Sequence, residues 1–251
     1  MRTFFIIFLK EVKSFFLSPL AYVVMALFCL LNGWLFVTMV NAMRLKTTPT
    51  SLIYNLFNSG WFWMGFVILF PLITMRLFAE EKKMGTLEGL LTAPVRTSEL
   101  VLAKYFAAVV VYIAIVSPVF FFFTLFQSIT GEEAAFHSGA FWGTALGIFL
   151  LGLFNISIGT LASSLTSNQL IAAMVTFVGV MLHYFLGFIY NFGTVPGSQW
   201  TDALTYFSTR EHMNALTEGL IDSRPIVYYL SFSVVLLAMT HHILESRKWR
   251  A

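Results

Sequence analysis

Few residues in this chain have the types and the spacing that catalysis or metal binding requires. His241 and His242 are adjacent, so on a helix their side chains point about 100° apart and do not converge on one metal ion. No glycine is followed by lysine, which excludes the phosphate-binding loop of ATPases, and no His-Glu-x-x-His pattern is present. We therefore predict no catalytic residue, no metal site and no bound cofactor in this chain.

One histidine occupies an unusual position. His183 lies inside a long apolar run, where an ionisable side chain is costly and is often functional. Tyr184 beside it and Asn155 in the preceding apolar run are candidate polar neighbours. Two interpretations stay open: these polar residues form hydrogen bonds inside a helix bundle, or they line a transport pathway.

The polar stretch between the second and third apolar runs carries strong signals for helix ends. Gly85 interrupts any helix before it, Thr86 is a candidate N-cap, and Glu88 suits the positive end of a helix dipole. A short helix over Leu87–Thr92 is predicted, because Pro94 then ends it. The stretch forms either a solvated connecting loop or a rigid short helix that protrudes into water and binds a partner there.

Two leucines define one face of this short helix. Leu87 and Leu91 are four residues apart, so they lie on the same side, with Glu88 beside Leu87. If the helix seats in a groove of a partner, this apolar face is buried only in the complex and Glu88 lies at its rim. Truncating both leucines should then release the partner, whereas Glu88→Gln should have a much smaller effect.

The composition is that of an integral membrane protein. Of the 251 residues, 58% are hydrophobic and only 11% are charged, and the mean hydropathy is +0.81. Soluble domains carry about 25% charged residues. The single cysteine, Cys29, lies in an apolar run, so no disulfide within the chain is possible.

We predict an all-α fold with an amphipathic interfacial helix over residues 1–18, followed by six transmembrane helices. Each run has about the 20 residues that a bilayer core requires. The six runs are Pro19–Val40, Gly60–Phe78, Leu100–Phe126, Ala140–Ser163, Leu170–Tyr190 and Pro225–Leu244. The chain is therefore expected to form one transmembrane domain over residues 1–251.

The basic residues divide unequally between the two sides of this arrangement. One side carries eleven of the 15: Arg2, Lys10, Lys13, Arg76, Lys82, Lys83, Arg96, Lys104, Arg247, Lys248 and Arg250. The other side carries four: Arg44, Lys46, Arg210 and Arg224. Because loops rich in Lys and Arg stay in the cytoplasm, both termini and the loop at 80–99 are predicted to be cytoplasmic.

The segment at 191–224 is amphipathic. Apolar residues recur at helical spacing in two groups, which are Trp200, Ala203, Leu204 and Phe207, and then Met213, Leu216 and Leu220. This pattern is compatible with two short helices at the outer leaflet and also with an ordinary loop that rests on the membrane.

In the fourth apolar run, Gly143 and Gly147 permit close packing of helices, and a pore lining is the alternative interpretation.

The sequence FAEEKKMGTLEGLLTAPVRTSELVLAKY resembles the cytoplasmic loop of ABC-2 type transporter permeases. The resemblance extends over the whole chain, because FLKEVKSFFLSPLAYV is similar to that family's N-terminal helix and SSLTSNQLIA also matches. The late segment EHMNALTEGLIDSRPIVYYLS is most similar to the gliding-motility-associated subgroup. Gly89 departs from the pattern, where a larger apolar residue is expected.

This resemblance implies the permease subunit of an ATP-driven ABC-2 exporter in the bacterial cytoplasmic (inner) membrane. It implies two copies of a separate ATP-binding cassette subunit, a second permease copy or a paralogue, and an auxiliary membrane-anchored extracytoplasmic subunit. The segment at 191–224 would then include re-entrant helices. The residues expected to couple to the ATPase are Glu80, Glu81, Gly85, Thr86, Leu87, Glu88, Leu91 and Pro94.

Two other function classes follow from the residues. A secondary transporter is disfavoured, because the acidic residues all lie in predicted loops or at the ends of the predicted spans. A membrane-embedded assembly or mechanical component that uses the same scaffold without exporting a solute remains compatible with the sequence. The substrate of an exporter cannot be read from the residue pattern.

Overall fold

The computed structural model describes residues 2–45, 50–92, 95–130, 138–189 and 206–248. The regular structure in these residues is helical, without strands. The helices are α1 Arg2–Leu17, α2 Pro19–Leu45, α3 Leu52–Phe57, α4 Gly60–Thr74, α5 Ala79–Lys83, α6 Thr86–Thr92, α7 Thr97–Thr130, α8 Ser138–Leu165, α9 Gln169–Ile189, α10 Thr209–Thr217 and α11 Ser223–Lys248.

Four of these helices are long and apolar enough to cross a membrane. They are α2, α7, α8 and α11, over Pro19–Arg44, Thr97–Thr130, Ser138–Leu165 and Ser223–Arg247. The second and fifth predicted spans correspond to shorter apolar helices, over Gly60–Thr74 and Gln169–Phe185. The chain is therefore an all-helical, multi-pass membrane protein.

The helix bundle has two distinct ends, which we name after the short helices found there. At the α6 end, the hydroxyl of Ser163 accepts hydrogen bonds from the backbone N–H groups of Phe78 and Ala79, at 3.0 and 3.1 Å. At the α10 end, Asn58 donates to the hydroxyl of Thr217 at 3.4 Å. Because Asn58 precedes α4 and Phe78 follows it, α4 connects the two ends.

The segment at 41–59, predicted as a polar loop, contains the buried helix α3. Ser51 caps this helix by accepting a hydrogen bond from the N–H of Tyr54 at 3.2 Å. Its apolar side chains, among them Ile53 and Phe57, are fully buried. A helix of six residues is too short for a periodicity signal, which is why the sequence does not reveal it.

The predicted second span, Gly60–Phe78, ends earlier than its apolar run. Helix α4 stops at Thr74, and a turn over residues 75–78 redirects the chain into α5. Pro71 lies in the last turn, where it lacks the N–H group that would pair with the carbonyl oxygen of Val67 in the turn before it. In contrast, α7 continues through the predicted end at Phe126 to Thr130.

Glycines of α8 let α10 approach closely. A Cβ atom at Gly143 would lie 2.4 Å from the carbonyl oxygen of Leu216, and one at Gly147 would lie 2.7 Å from that leucine's Cδ1. At Gly143 the obstacle is a backbone atom, so this position requires glycine, whereas a larger residue at Gly147 would have to displace the side chain of Leu216. Of the two interpretations of these glycines, the structure therefore supports helix packing.

Of the three apolar residues in the second predicted amphipathic group, helix α10 buries the first two but not the third. Met213 and Leu216 are buried against α8, whereas Leu220 is exposed. Gly219 has a φ of +85°, a left-handed conformation that ends the helix before Leu220. The first predicted amphipathic helix, around Trp200, lies mostly outside the described residues.

Candidate coupling site

The site begins at the turn between α5 and α6. Gly85 has a φ of +69°, which glycine adopts without strain, and it reverses the chain between the two helices. Helix α6 starts at Thr86, one residue earlier than predicted, and the Thr86 hydroxyl donates to the carbonyl oxygen of Glu81 at 3.3 Å. The side chain of Leu91 and all of Pro94 lie outside the described residues.

The prediction that Leu87 is covered only by a partner is wrong. Its side chain is 4% exposed and belongs to the hydrophobic core of the chain itself. Helix α6 contacts both α5 and α11. The i, i+4 pattern identifies side chains that share a face, but it does not identify what covers that face.

The outward surface of this region combines one large apolar side chain with glycines and polar residues. Met84 is 69% exposed, and Gly85, Thr86, Glu88 and Gly89 are exposed as well. A partner that approaches α6 from water therefore meets these residues first. Glu88 also lies on this outer surface.

A buried ion cluster anchors α5 to the bundle. The Nζ atom of Lys104 lies 3.0 Å from Glu11 Oε1 and 2.9 Å from Glu81 Oε1. The side chain of Lys104 is 2% exposed, and the glutamates are 13% and 16% exposed. The Lys104 ammonium also lies 5.5 Å from the ring centre of Phe78. One cation therefore joins α1, α5 and α7.

This cluster could be predicted only in part. Glu81 belongs to the acidic pair that the sequence singles out, whereas its neighbour Glu80 has a half-buried side chain outside the cluster. In the sequence, Lys104 is only one of several basic residues on the predicted cytoplasmic side, and no pattern marks Glu11 as a partner of a lysine. The pairing joins residues 93 positions apart, and no local pattern encodes such a distance.

Lys82 makes a second connection between α5 and the bundle. Its ammonium donates to the carbonyl oxygen of Ser164 at the end of α8. Burial, and then the nearby charge of Arg247, lower the pKa of Lys82 from 10.5 to about 8. The folded state therefore binds the Lys82 proton less tightly than the unfolded chain does.

A pH-dependent contribution to stability follows from this lowered pKa. Between about pH 8 and 10.5 the unfolded chain holds more protons at Lys82, so stability rises with pH in this window. We expect the melting temperature of the wild type, relative to that of Lys82→Met, to increase from pH 8 to pH 10.5. Thermal unfolding of both proteins in detergent measures this difference. A constant or falling difference would contradict the proposed environment of Lys82.

The polar residues within the apolar runs lie away from this site. His183 is buried, and its Nε2 lies 3.1 Å from the hydroxyl of Thr209 at the start of α10. Tyr184, a predicted neighbour, instead stacks on Trp63 at 5.0 Å. Asn155 is buried in α8, and its Oδ1 has no hydrogen-bond partner among the described residues. His183 therefore makes a hydrogen bond inside the bundle, which joins α9 to α10.

The arrangement at the α6 end suits mechanical transmission. An exposed short helix follows a tight turn from α5, and α5 is held to α1 and α7 by the buried Lys104 cluster. A force on α6 therefore reaches long helices of the bundle through a few short contacts. The cluster places one ammonium between two carboxylates.

One family model matches most of the chain. The family is described as ABC-2 family transporter protein, and the match covers residues 36–210. This range includes α5, α6 and the Lys104 residue of the ion cluster. No curated protein matches the sequence.

Proposed function

Because this chain belongs to the ABC-2 family of transporter proteins, we propose that it is the permease subunit of an ATP-driven exporter. A separate ATP-binding cassette subunit hydrolyses ATP, since the chain has no phosphate-binding loop. Two such ATPases act with two permease chains, either identical or paralogous, and the permeases enclose the translocation pathway. An auxiliary extracytoplasmic subunit completes the assembly.

In this proposal the ATPase contacts the outer surface of α5 and α6. The supporting observation is the buried Lys104 cluster, which ties α5 to α1 and α7, while Glu88 on the adjoining helix α6 is exposed. Movement of the ATPase shifts α6, and Glu81 passes the shift to Lys104 and α7. Leu87 fixes α6 to the permease rather than to the ATPase.

All six apolar helices cross the membrane in this proposal, including α9 and the shorter helix α4. Helix α4 has 15 residues, about 22 Å of helix, which is less than the ~30 Å hydrocarbon core. Its connection to both ends of the bundle supports a crossing, and a locally thinner bilayer accommodates the difference. The eleven-to-four division of basic residues supports cytoplasmic termini and a cytoplasmic α6 in the bacterial inner membrane.

Two further elements have roles in this arrangement. Helix α1 lies at the cytoplasmic membrane surface, where its exposed face carries both Lys10 and apolar residues such as Leu9. Helix α10 is a re-entrant helix that closes the outer end of the pathway, and its burial against α8 supports this position.

A second candidate function is a mechanical or assembly role without solute export. The segment EHMNALTEGLIDSRPIVYYLS, with its resemblance to gliding-motility permeases, favours this alternative. Substrate-stimulated ATP hydrolysis by the reconstituted complex separates the two functions. An exporter shows such stimulation, whereas a mechanical component does not.

Two matched glycines allow a direct test of the ATPase contact. Gly89 on α6 and Gly60 at the opposite end of the bundle are both exposed, and a Cβ atom at either would meet nothing within 4 Å. We expect Gly89→Trp to reduce the amount of co-purifying ATPase about tenfold or more. A clash that costs ~1.4 kcal/mol of binding free energy is enough to weaken the affinity tenfold. Gly60→Trp is the control and should retain the ATPase.

The measurement is affinity purification of the tagged chain from its native membrane, with the ATP-hydrolysing subunit quantified by mass spectrometry. Equal amounts of ATPase with both variants would exclude α6 as the contact. Loss of the ATPase with Gly60→Trp alone would place the contact at the α10 end and reverse the proposed orientation.

A further inference from the structure

An open apolar groove runs between α2 and α4. Its volume is about 530 Å³. On α2 it extends from Val24 to Trp34, about 15 Å of helix, and on α4 it is lined by Gly65, Ile68 and Leu72. This length is about half of the ~30 Å hydrocarbon core of a bilayer. The groove therefore has the dimensions of one acyl chain within one leaflet.

A cationic side chain lies near the α6 end of this groove. Arg76 follows α4, and its Nη1 donates to the hydroxyl of Ser18 at 3.1 Å. Its Nε atom is buried and has no hydrogen-bond partner among the described residues. Within the part of the chain that the structure describes, the ion pairs do not include Arg76. The guanidinium therefore has a buried N–H group without a hydrogen-bond partner and no carboxylate beside it among the described residues.

The cationic site and the groove are adjacent. A small cavity of about 20 Å³ lies beside Ser18 and Arg76, and it shares the lining residues Val24 and Leu72 with the apolar groove. Lys13 lies in the adjacent cleft that also reaches Ser18. A cationic end beside an apolar groove matches the charge and the shape of a phospholipid. A protein partner in the groove would have to supply a carboxylate at the level of Arg76.

We propose that this groove binds a phospholipid, with its phosphate on Arg76 and Ser18 and one acyl chain between α2 and α4. The phosphate oxygens accept hydrogen bonds from the guanidinium, whose planar array of donors suits phosphate. The acyl chain covers Ile68 and Leu72, which would otherwise border a poorly filled space. This site requires only that the chain spans a membrane, so it does not depend on the ATPase contact.

Native mass spectrometry of the delipidated, detergent-purified protein tests the site with added palmitoyl-oleoyl-phosphatidylglycerol. We expect Arg76→Gln to weaken binding about tenfold, because charge-assisted hydrogen bonds to phosphate are lost. Arg76→Lys should retain part of the affinity, because the charge remains. Arg224→Gln, which alters an exposed arginine at the α10 end, is the matched control and should bind lipid like the wild type.

A second pair of variants tests the acyl-chain groove. Gly65→Phe fills the groove and should abolish lipid binding, while Val234→Phe on the exposed face of α11 should have no effect. If the Gly65→Phe protein does not fold, Ile68→Phe is used in its place, because Ile68 lies at the exposed edge of the groove.

Three results would overturn the proposal. The first is unchanged lipid binding in Arg76→Gln and in the groove variants. The second is binding of glycerol 3-phosphate as tight as that of the lipid, which would indicate a site for free phosphate anions. The third is loss of a homodimer in the groove variants with unchanged lipid binding, which would assign the groove to a second copy of the chain.

Discussion

Replacing Lys104 with Met is expected to destabilise the protein by about 3–5 kcal/mol and to uncouple α6 from the bundle, the largest effect among single substitutions at the α6 end. The variant leaves the carboxylates of Glu11 and Glu81 mostly buried, at 13% and 16% exposure, without their shared cation. Two negative charges then face each other in a poorly solvated space. We expect α1 and α5 to separate from α7 to reach water.

Thermal unfolding in detergent measures the stability part of this prediction, and ATP hydrolysis by the assembled complex measures the coupling. Lys83→Met changes an exposed lysine of the same short helix and should have little effect on either. The triple variant Lys104→Met, Glu11→Gln, Glu81→Gln removes all three charges and should recover much of the stability. If Lys104→Met unfolds at the wild-type temperature, the cluster does not anchor α5.

Gly152→Ala is expected to prevent normal packing of α8 against α7. A Cβ atom at this position would lie 2.1 Å from Cε1 of Tyr112 and 2.4 Å from its Cζ. Tyr112 is fully buried, and its hydroxyl donates to the carbonyl oxygen of Ile148 at 2.6 Å. The ring also packs against Phe70 at 5.6 Å, so it has no space into which to move.

We expect a cost of at least about 1–3 kcal/mol, the usual range for an overpacked core, and a clear fall in the yield of folded protein. Gly33→Ala is the matched control, because its Cβ atom would meet only the ring of Phe122 at an ordinary distance of 3.7 Å. Fluorescence-detected size-exclusion chromatography after a temperature series compares the two variants. Equal melting temperatures would show that α7 and α8 do not pack as closely as the structure indicates.

The long helices could be predicted well because each is a long apolar run. The predicted spans fall within α2, α7, α8 and α11 over most of their lengths. The short helix α6 could also be predicted to within one residue, since Gly85 fixes its start through local backbone chemistry. Such features depend on neighbouring residues, which a sequence displays directly.

The contacts between helices could not be predicted in the same way. Leu87 looks available for a partner in the sequence, yet it is buried in the hydrophobic core of the chain itself. The hydrogen bond between His183 and Thr209 and the joining of Glu11 to Lys104 also depend on tertiary packing. Helix α3 could not be predicted, because a helix of one or two turns is too short for its hydrophobic periodicity to be recognised in the sequence.

Photo-crosslinking in native membranes tests the central claim that the α5–α6 surface contacts a cytoplasmic ATPase. A benzophenone amino acid placed at Met84, which is 69% exposed beside α6, should crosslink to an ATP-binding cassette subunit. The same amino acid at Leu220, which is exposed at the α10 end, should give no such product. A crosslink to the ATPase from position 220 and none from position 84 would contradict both the coupling site and the proposed orientation of the chain.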